Sequence, residues 1–424
     1  MTSYDYTNDL HFIEDMSSLL FLADISFSGQ MNGVTRCLQV LSRSFSHYKK
    51  FHVTWIHFEV GLKSDIQRRT TEGLTHIYVP LPHDLGSFWT NHKKKKELWY
   101  EVYRFMEIES NETNHVIIHI HTLNLIDFAL WVKQKKRCFI ITHLHCIPWK
   151  SMYDKNNTLF LNLYEKYYQS RKNINPTDYI LYEYEKKSYT SSDLIICVTQ
   201  CAKDFLQRML PNNAIPTKVV YNGIPDLLKE DTVFSHRLHS PTRCLFVGNS
   251  HRSKGLDYIL QSLELIRMRH NIILFVVGVY TNIQQINICK RHPFLEIRFL
   301  GLLPLMELRN YYRSCDIGLI ASMQEQCSYV AIEMMMFGLP IVSTAIDGLN
   351  EIFSNERYAS KIPSRYLPRK SLCPDISQMA EAISGLISNS RKREKMCINN
   401  RKRYQMFFSD ITMIRSMKKI YQHL

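Results

Sequence analysis

Residues 315–344 read CDIGLIASMQEQCSYVAIEMMMFGLPIVST. An apolar run, IGLIAS (317–322), stops at a polar loop, a helical-period segment opens near Ser328, and a second apolar run, PIVST (340–344), follows Gly338. Short Val/Ile-rich runs on either side of one helix mark a βαβ unit whose strands are buried on both faces of a parallel sheet. Glu325 lies in the loop and Glu333 eight residues later, about two helical turns on. The two carboxylates can flank one extended ligand. The amides of Cys327, Ser328 and Tyr329, at the helix opening, offer unpaired N–H donors and a positive dipole to an anionic group. Two Glu at this spacing are common, so the interval alone carries little.

The alternation extends in both directions. Apolar runs stand at 19–25, 51–58, 75–81, 115–121, 138–145, 194–199 and 218–222, then at 244–248, 272–278 and 296–301, each followed by a plausible helix. A polar stretch from Pro225 to Pro241 interrupts the rhythm before CLFVG (244–248) restarts it. The expectation is an α/β chain of two doubly wound parallel-sheet domains. The first covers 1–225 and the second 241–406, with a closing helix at 407–424 packing back on the first. A Tyr- and Lys-rich helical insertion is expected over 151–191. Two such domains facing one another place their strand C-termini, and any ligand, in the cleft between them.

Composition narrows the class. With 14 Gly and 14 Pro against 24 Tyr and 21 Phe, the chain is neither collagenous nor disordered. Its 53 Lys and Arg exceed 39 Asp and Glu by 14, a balance suited to nucleic acid, an anionic membrane face or phosphorylated substrates. The densest basic clusters are Lys93–Lys96, followed by Trp99, Tyr100 and Tyr103, and Arg391–Arg403. Both read as solvated helix faces; basic heads beside aromatic rings also suit anionic phospholipid headgroups. The 11 Cys form no C-x-x-C pair, and several sit inside apolar runs, as buried reduced thiols do in a cytosolic protein. The opening MTSYDYTNDLHFIEDM has no signal-peptide pattern, and no apolar stretch reaches the ~18 residues that span a bilayer. A cytoplasmic protein, at most peripheral to a membrane, is expected.

The segment around Glu325 and Glu333 resembles the E-x7-E region of retaining glycosyltransferases of family 4, which have the GT-B fold. Asp316, Ser322, Glu325, Glu333, Gly338, Pro340, Val342 and Glu351 fall in register with the family pattern. Gln326 stands where Pro is usual, and IEMMMFG replaces small residues with Met. CLFVGNSHRSKGLDYILQSL (244–263) is similar to the family's strand, glycine turn and basic helix start. Lys254 takes the family Lys position, but Asn249 stands where an Arg normally follows the glycine, and Arg252 is the nearest replacement. VVYNGIPD (219–226), SFSGQMNGVTRCLQVLS (26–42) with Gly33, and the final FFSDITMIRSMKKIYQHL also match. The stretches MNGVTR and HLHCIPWK look like a bacterial subgroup found beside peptide-maturation genes, which implies a peptide acceptor.

The resemblance implies transfer of a sugar from a nucleotide diphosphate sugar to an acceptor hydroxyl of a saccharide, lipid-linked saccharide or peptide. Glu325 would hold the transferred sugar, and Glu333 the nucleotide ribose. Lys254 and Arg252, with Asn249, Gly33 and the amides of Cys327, Ser328 and Tyr329, would receive the diphosphate. No metal and no cofactor is implied, and no nucleic-acid partner. Two further readings stand beside it. One is a non-catalytic sugar-nucleotide-binding module, suggested by Asn249. The other is a metalloprotein, because His119 and His121 end one strand and His143 and His145 another. Residues two apart in a strand face one side, so adjacent strands would bring four imidazoles together. No nearby acidic or Cys ligand is expected to complete a metal set. In the family a His at this strand end faces the cleft, and His145 is the first choice, His143 the second.

Overall fold

The computed structural model describes residues 18–27, 32–108, 115–147, 176–210, 214–228, 238–366 and 372–424. Most of the expected insertion, and residues 148–150 of HLHCIPWK, lie outside them. The insertion's last part forms the helix Pro176–Ser191.

The first sheet contains β1 (Ser18–Phe27), β2 (Phe51–Val60), β3 (Gln67–Thr71), β4 (Leu74–Leu81), β5 (Val116–Ile120), β6 (Phe139–Leu144), β7 (Leu194–Cys197) and β8 (Thr217–Val219). Their order is β3-β4-β2-β1-β5-β6-β7-β8, and every pairing is parallel except β3 with β4. The second contains β9 (Thr242–Val247), β10 (Ile272–Val277), β11 (Glu296–Gly301), β12 (Ile317–Ile320), β13 (Ile341–Thr344) and β14 (Ser360–Ile362), in the all-parallel order β11-β10-β9-β12-β13-β14. Every apolar run became a strand. In each sheet the order reverses once at the centre, beside β1 and β5 and between β9 and β12. Ligands bind at such reversal points in doubly wound folds.

The alternation along β1 shows how the sheet is buried. Leu19, Phe21 and Ala23 pack with Trp99, Val102 and Phe128, while Leu20 and Leu22 face Cys37, Leu38, Leu41 and Phe45 of the helix Gly33–Ser46. Each such side chain contributes roughly 1.5–3 kcal/mol of apolar burial. The helix Asp410–Gln422 adds Met413, Ile414, Met417, Ile420 and Tyr421 to that second cluster. Tyr404 and Phe408, one π-helical turn earlier, belong to the core of the second domain. The chain thus crosses between domains near Ser409. Glu351 ties the domains again, accepting from the amides of Gln200 and Cys201 (2.7 Å each) and the Tyr221 hydroxyl (2.6 Å). Those amides open the helix Gln200–Met209 and would otherwise lack partners.

The basic clusters are not simple surface stripes. Lys95 is buried, donates to Asp127 (2.8 Å) and the Tyr184 hydroxyl (3.2 Å), and lies over the buried ring of Trp99. Only Lys93, Lys94 and Lys96 face outward, so the pairing of basic heads with Trp99 at a lipid surface does not hold. In the other cluster Arg393 donates to the carbonyls of Leu386 (2.6 Å) and Ile387 (2.9 Å), and Arg403 to those of Ile352 (2.6 Å) and Glu351 (3.0 Å). These guanidinium groups satisfy open helix-end carbonyls. Among the described residues no helix is long and apolar enough to cross a membrane.

Candidate active site

The loops after β9 and β12 form one wall of the cleft. Gly255 has φ +77°, and a Cβ there would lie 2.0 Å from the Ala321 carbonyl oxygen, so only glycine lets the two loops touch. Met323 N–H donates to the Ser253 carbonyl (2.7 Å) across the contact. This seam brings Lys254 Nζ to 2.5 Å from Glu325 Oε1, which also accepts from Ser322 Oγ (3.1 Å). Gly348 abuts the same loop: a Cβ on it would overlap the Gln326 carbonyl, and its N–H donates to the Glu325 carbonyl (3.0 Å). Ser328 caps the helix Tyr329–Met336, accepting from Ala331 N (3.4 Å).

A cavity of ≈ 440 Å³ opens on this wall, lined among others by Gly33, His145, Lys254, Glu325, Cys327, Ser328 and Tyr329. Seven of the expected site residues therefore meet across the two domains. Gly33 opens the helix Gly33–Ser46 behind β1, where Asn32 caps by accepting from Thr35 N (3.0 Å). Asn32 and Asn222 also line the cavity, and Asn222 Nδ2 donates to the Cys327 carbonyl (3.3 Å).

Three expected residues stand elsewhere. Arg252 and Asn249 are exposed. Arg252 borders a separate hollow of ≈ 220 Å³ with Asp257, Tyr280 and Arg291, so it does not replace the family Arg at the cavity in this conformation. Lys254, two residues on in the same tight turn, lines the cavity instead. Glu333 is buried behind the wall. Tyr312 donates to its Oε2 (2.6 Å), and Arg36 of the first domain is bonded to its Oε1. Burial opposes the Arg36 charge, while the Glu333 carboxylate raises its pKa above the ordinary value. Arg36 also covers the Tyr329 ring at 5.1 Å. Sequence reasoning missed it; its one signal was a charge in the first turn of the helix that follows the glycine loop.

The opposite wall is made of imidazoles. β5 and β6 are neighbours, and His119, His121, His143 and His145 converge at their ends. His143 stacks on His119 (5.2 Å) and His145 (4.3 Å), and His121 Nδ1 lies 2.8 Å from His145 Nε2. His119 Nδ1 meets the Tyr421 hydroxyl at 2.7 Å. Burial pushes the His119 and His145 pKa values down to about 3, and those of His121 and His143 well below the ordinary range, so all four are neutral. Cys37, from the helix behind β1, completes the group. The expectation that no cysteine stands near is corrected by the fold, which stacks that helix on the sheet.

With this geometry in hand, the likeness to known proteins is specific. Residues 31–226 match the family model described as Glycosyltransferase Family 4, and residues 241–389 the one described as Glycosyl transferases group 1. An uncharacterized glycosyltransferase of Methanocaldococcus jannaschii is 27% identical over 56% of this chain, and spore coat protein SA of Bacillus subtilis 22% over 57%. The matched regions span 62% and 70% of those relatives. A second uncharacterized glycosyltransferase of Methanocaldococcus jannaschii is matched over 45% of its length. Among solved structures, sucrose-phosphate synthase of Thermosynechococcus elongatus superposes with TM-score 0.70 at 15% identity, covering 96% of this chain and 98% of that one. Anabaena HepE, solved with UDP, gives 0.66 at 14%, covering 96% and 100%. Both sheets, the cleft between them and the two family models agree: the chain belongs to the family 4-like glycosyltransferases and has their GT-B fold.

Proposed function

We propose that this protein transfers a sugar from a nucleotide diphosphate sugar to an acceptor hydroxyl with retention of anomeric configuration. The observation that carries the reading is the Lys254–Glu325 pair on the cavity wall, beside the amide end of the helix Tyr329–Met336. A departing diphosphate gains negative charge, and preorganised cations and N–H donors lower the barrier most where that charge appears. Lys254 and the amides of Cys327, Ser328 and Tyr329 serve this end, with the helix opening at Gly33 facing them. Glu325 accepts from hydroxyls of the donor sugar. Glu333 takes the ribose once it exchanges Arg36 for it. His145, on the facing wall, orients the reacting groups through a neutral imidazole. The departing phosphate oxygen accepts the acceptor's proton, so no metal is invoked at the diphosphate.

The Anabaena neighbour was solved with UDP and with UDP-glucose, which makes uridine donors the first to try. The proposed acceptor is a saccharide, lipid-linked saccharide or peptide hydroxyl. A panel of sugar nucleotides, read by calorimetric binding and nucleotide diphosphate release, tests the reading. One donor should bind, and Lys254→Ala and Glu325→Ala should abolish release. Failure of every sugar nucleotide to bind, or unchanged turnover in both variants, overturns it. Binding with neither hydrolysis nor transfer identifies a non-catalytic module, a reading that the outward position of Arg252 keeps in view.

A further inference from the structure

The imidazole wall contains more bonding capacity than the protein uses. His121 Nε2, His143 Nδ1 and His143 Nε2 are fully buried and have no hydrogen-bond partner. A buried polar nitrogen without a partner costs about 1–3 kcal/mol, and with His119 Nε2 four sit within one cluster. One donor atom from each of Cys37, His121, His143 and His145 lies within 4.8 Å of the others. No carboxylate belongs to the set. A tetrahedral ion with Zn–N of ~2.0–2.1 Å and Zn–S of ~2.3 Å holds its ligands about 3.3–3.6 Å apart. The four donors need to close in by only about an ångström.

We infer that Cys37, His121, His143 and His145 form a binding site for one transition-metal ion of the zinc class, at the first-domain wall of the cleft. Thiolate with three imidazoles is a borderline-soft donor set that suits zinc and disfavours magnesium or calcium. Binding balances simply: the ion enters, the Cys37 thiol proton leaves to solvent, and the three imidazoles ligate in their neutral form. His121 Nε2 and one of the two orphaned nitrogens of His143 can gain the ion as a partner. His119, stacked on His143 and anchored by Tyr421, backs the ligand ring from the core side. Four protein ligands make a closed, structural centre, and His145 keeps its second ring nitrogen for the cavity that it lines. It joins the helix Gly33–Ser46 to the ends of β5 and β6, so it fixes the wall that faces the donor. It lies apart from Lys254 and leaves the diphosphate end free of metal.

The test uses full-length protein purified without chelator. Elemental analysis should give one zinc per chain, and X-ray absorption at the zinc edge should fit one sulfur and three nitrogens. Replacing zinc by cobalt should give a thiolate charge-transfer band and intense tetrahedral d–d bands. Cys37→Ser should remove the thiolate band, and His143→Ala should lower occupancy at least tenfold; Cys289→Ser, at an exposed thiol, should change neither. Because either core variant can misfold, the absorption fit on the unmodified protein decides independently. A chain that stays metal-free when dialysed against zinc, a zinc edge without sulfur, or a Cys37→Ser protein that keeps the thiolate band overturns the site.

Discussion

The two walls of the cleft are built on opposite plans. On the second-domain wall, the functional groups already have partners: Lys254 with Glu325, Glu333 with Arg36 and Tyr312, and Ser328 with its own helix. On the first-domain wall, four imidazoles are packed together with four buried nitrogens unpaired. The first arrangement is a set of ion pairs that a charged ligand can exchange into. The second is rigid, neutral and unsatisfied, and it fits an ion better than an organic substrate. One wall is thus poised for a substrate that comes and goes, the other for a resident.

The sharpest way to expose this contrast is acid. The His119 pKa is held at about 3 by burial, against 6.5 in the unfolded chain, with His121 and His143 displaced in the same direction. Below about pH 6.5 the unfolded state takes up protons that the folded wall refuses. Stability is therefore complete above that pH and is lost as pH falls toward 3, by about 1.4 kcal/mol per pH unit for each such imidazole. Urea midpoints of chelator-stripped protein at pH 7, 6 and 5 should fall steeply, and His119→Gln should flatten the profile by one proton's worth. Equal slopes for the two proteins would mean that the wall titrates like free histidine.

The opposite wall breaks through chemistry rather than stability. Removing a group that stabilises developing charge costs about 10²–10³-fold in kcat, equivalent to roughly 2.7–4 kcal/mol. Lys254→Ala should show this loss with little change in melting temperature, since the ammonium is partly exposed. An intermediate case is Arg36→Ala, which leaves Glu333 buried with Tyr312 alone. Breaking a buried pair from one side costs about 3–5 kcal/mol, and partial exposure of Arg36 brings the expectation to about 2–4. Thermal denaturation checks it, and donor saturation shows whether freeing Glu333 lowers the donor KM.

Most of the fold was legible because parallel strands buried on both faces are continuous apolar runs. β3, QRRTT, was not, since an exposed antiparallel edge strand needs no apolar residue. The Lys254–Glu325 wall was legible because both residues follow strands in recognisable segments. Cys37 was not: it is remote in sequence from the histidines, and only the stacking of its helix on the sheet brings it to them. Glu333 was located but its partner was missed, because a cross-domain contact leaves no local pattern.

Lys95 was misplaced for a different reason: its phase was readable but hidden by a run of four lysines. Lys95, Trp99, Val102 and Met106 recur at helical spacing and form the buried stripe of the helix His92–Met106. The neighbouring Lys93 and Lys96 face solvent, and this gives the smallest expected effect. Lys93→Ala and Lys96→Ala should each change stability by less than about 0.5 kcal/mol. Lys95→Ala strands Asp127 with its remaining partners and should cost several times as much. If these exposed lysines nevertheless serve an anionic surface, flotation with anionic vesicles will depend on Lys93 and Lys96 while thermal stability does not. If binding is absent, the run is a solvated face with one inward lysine.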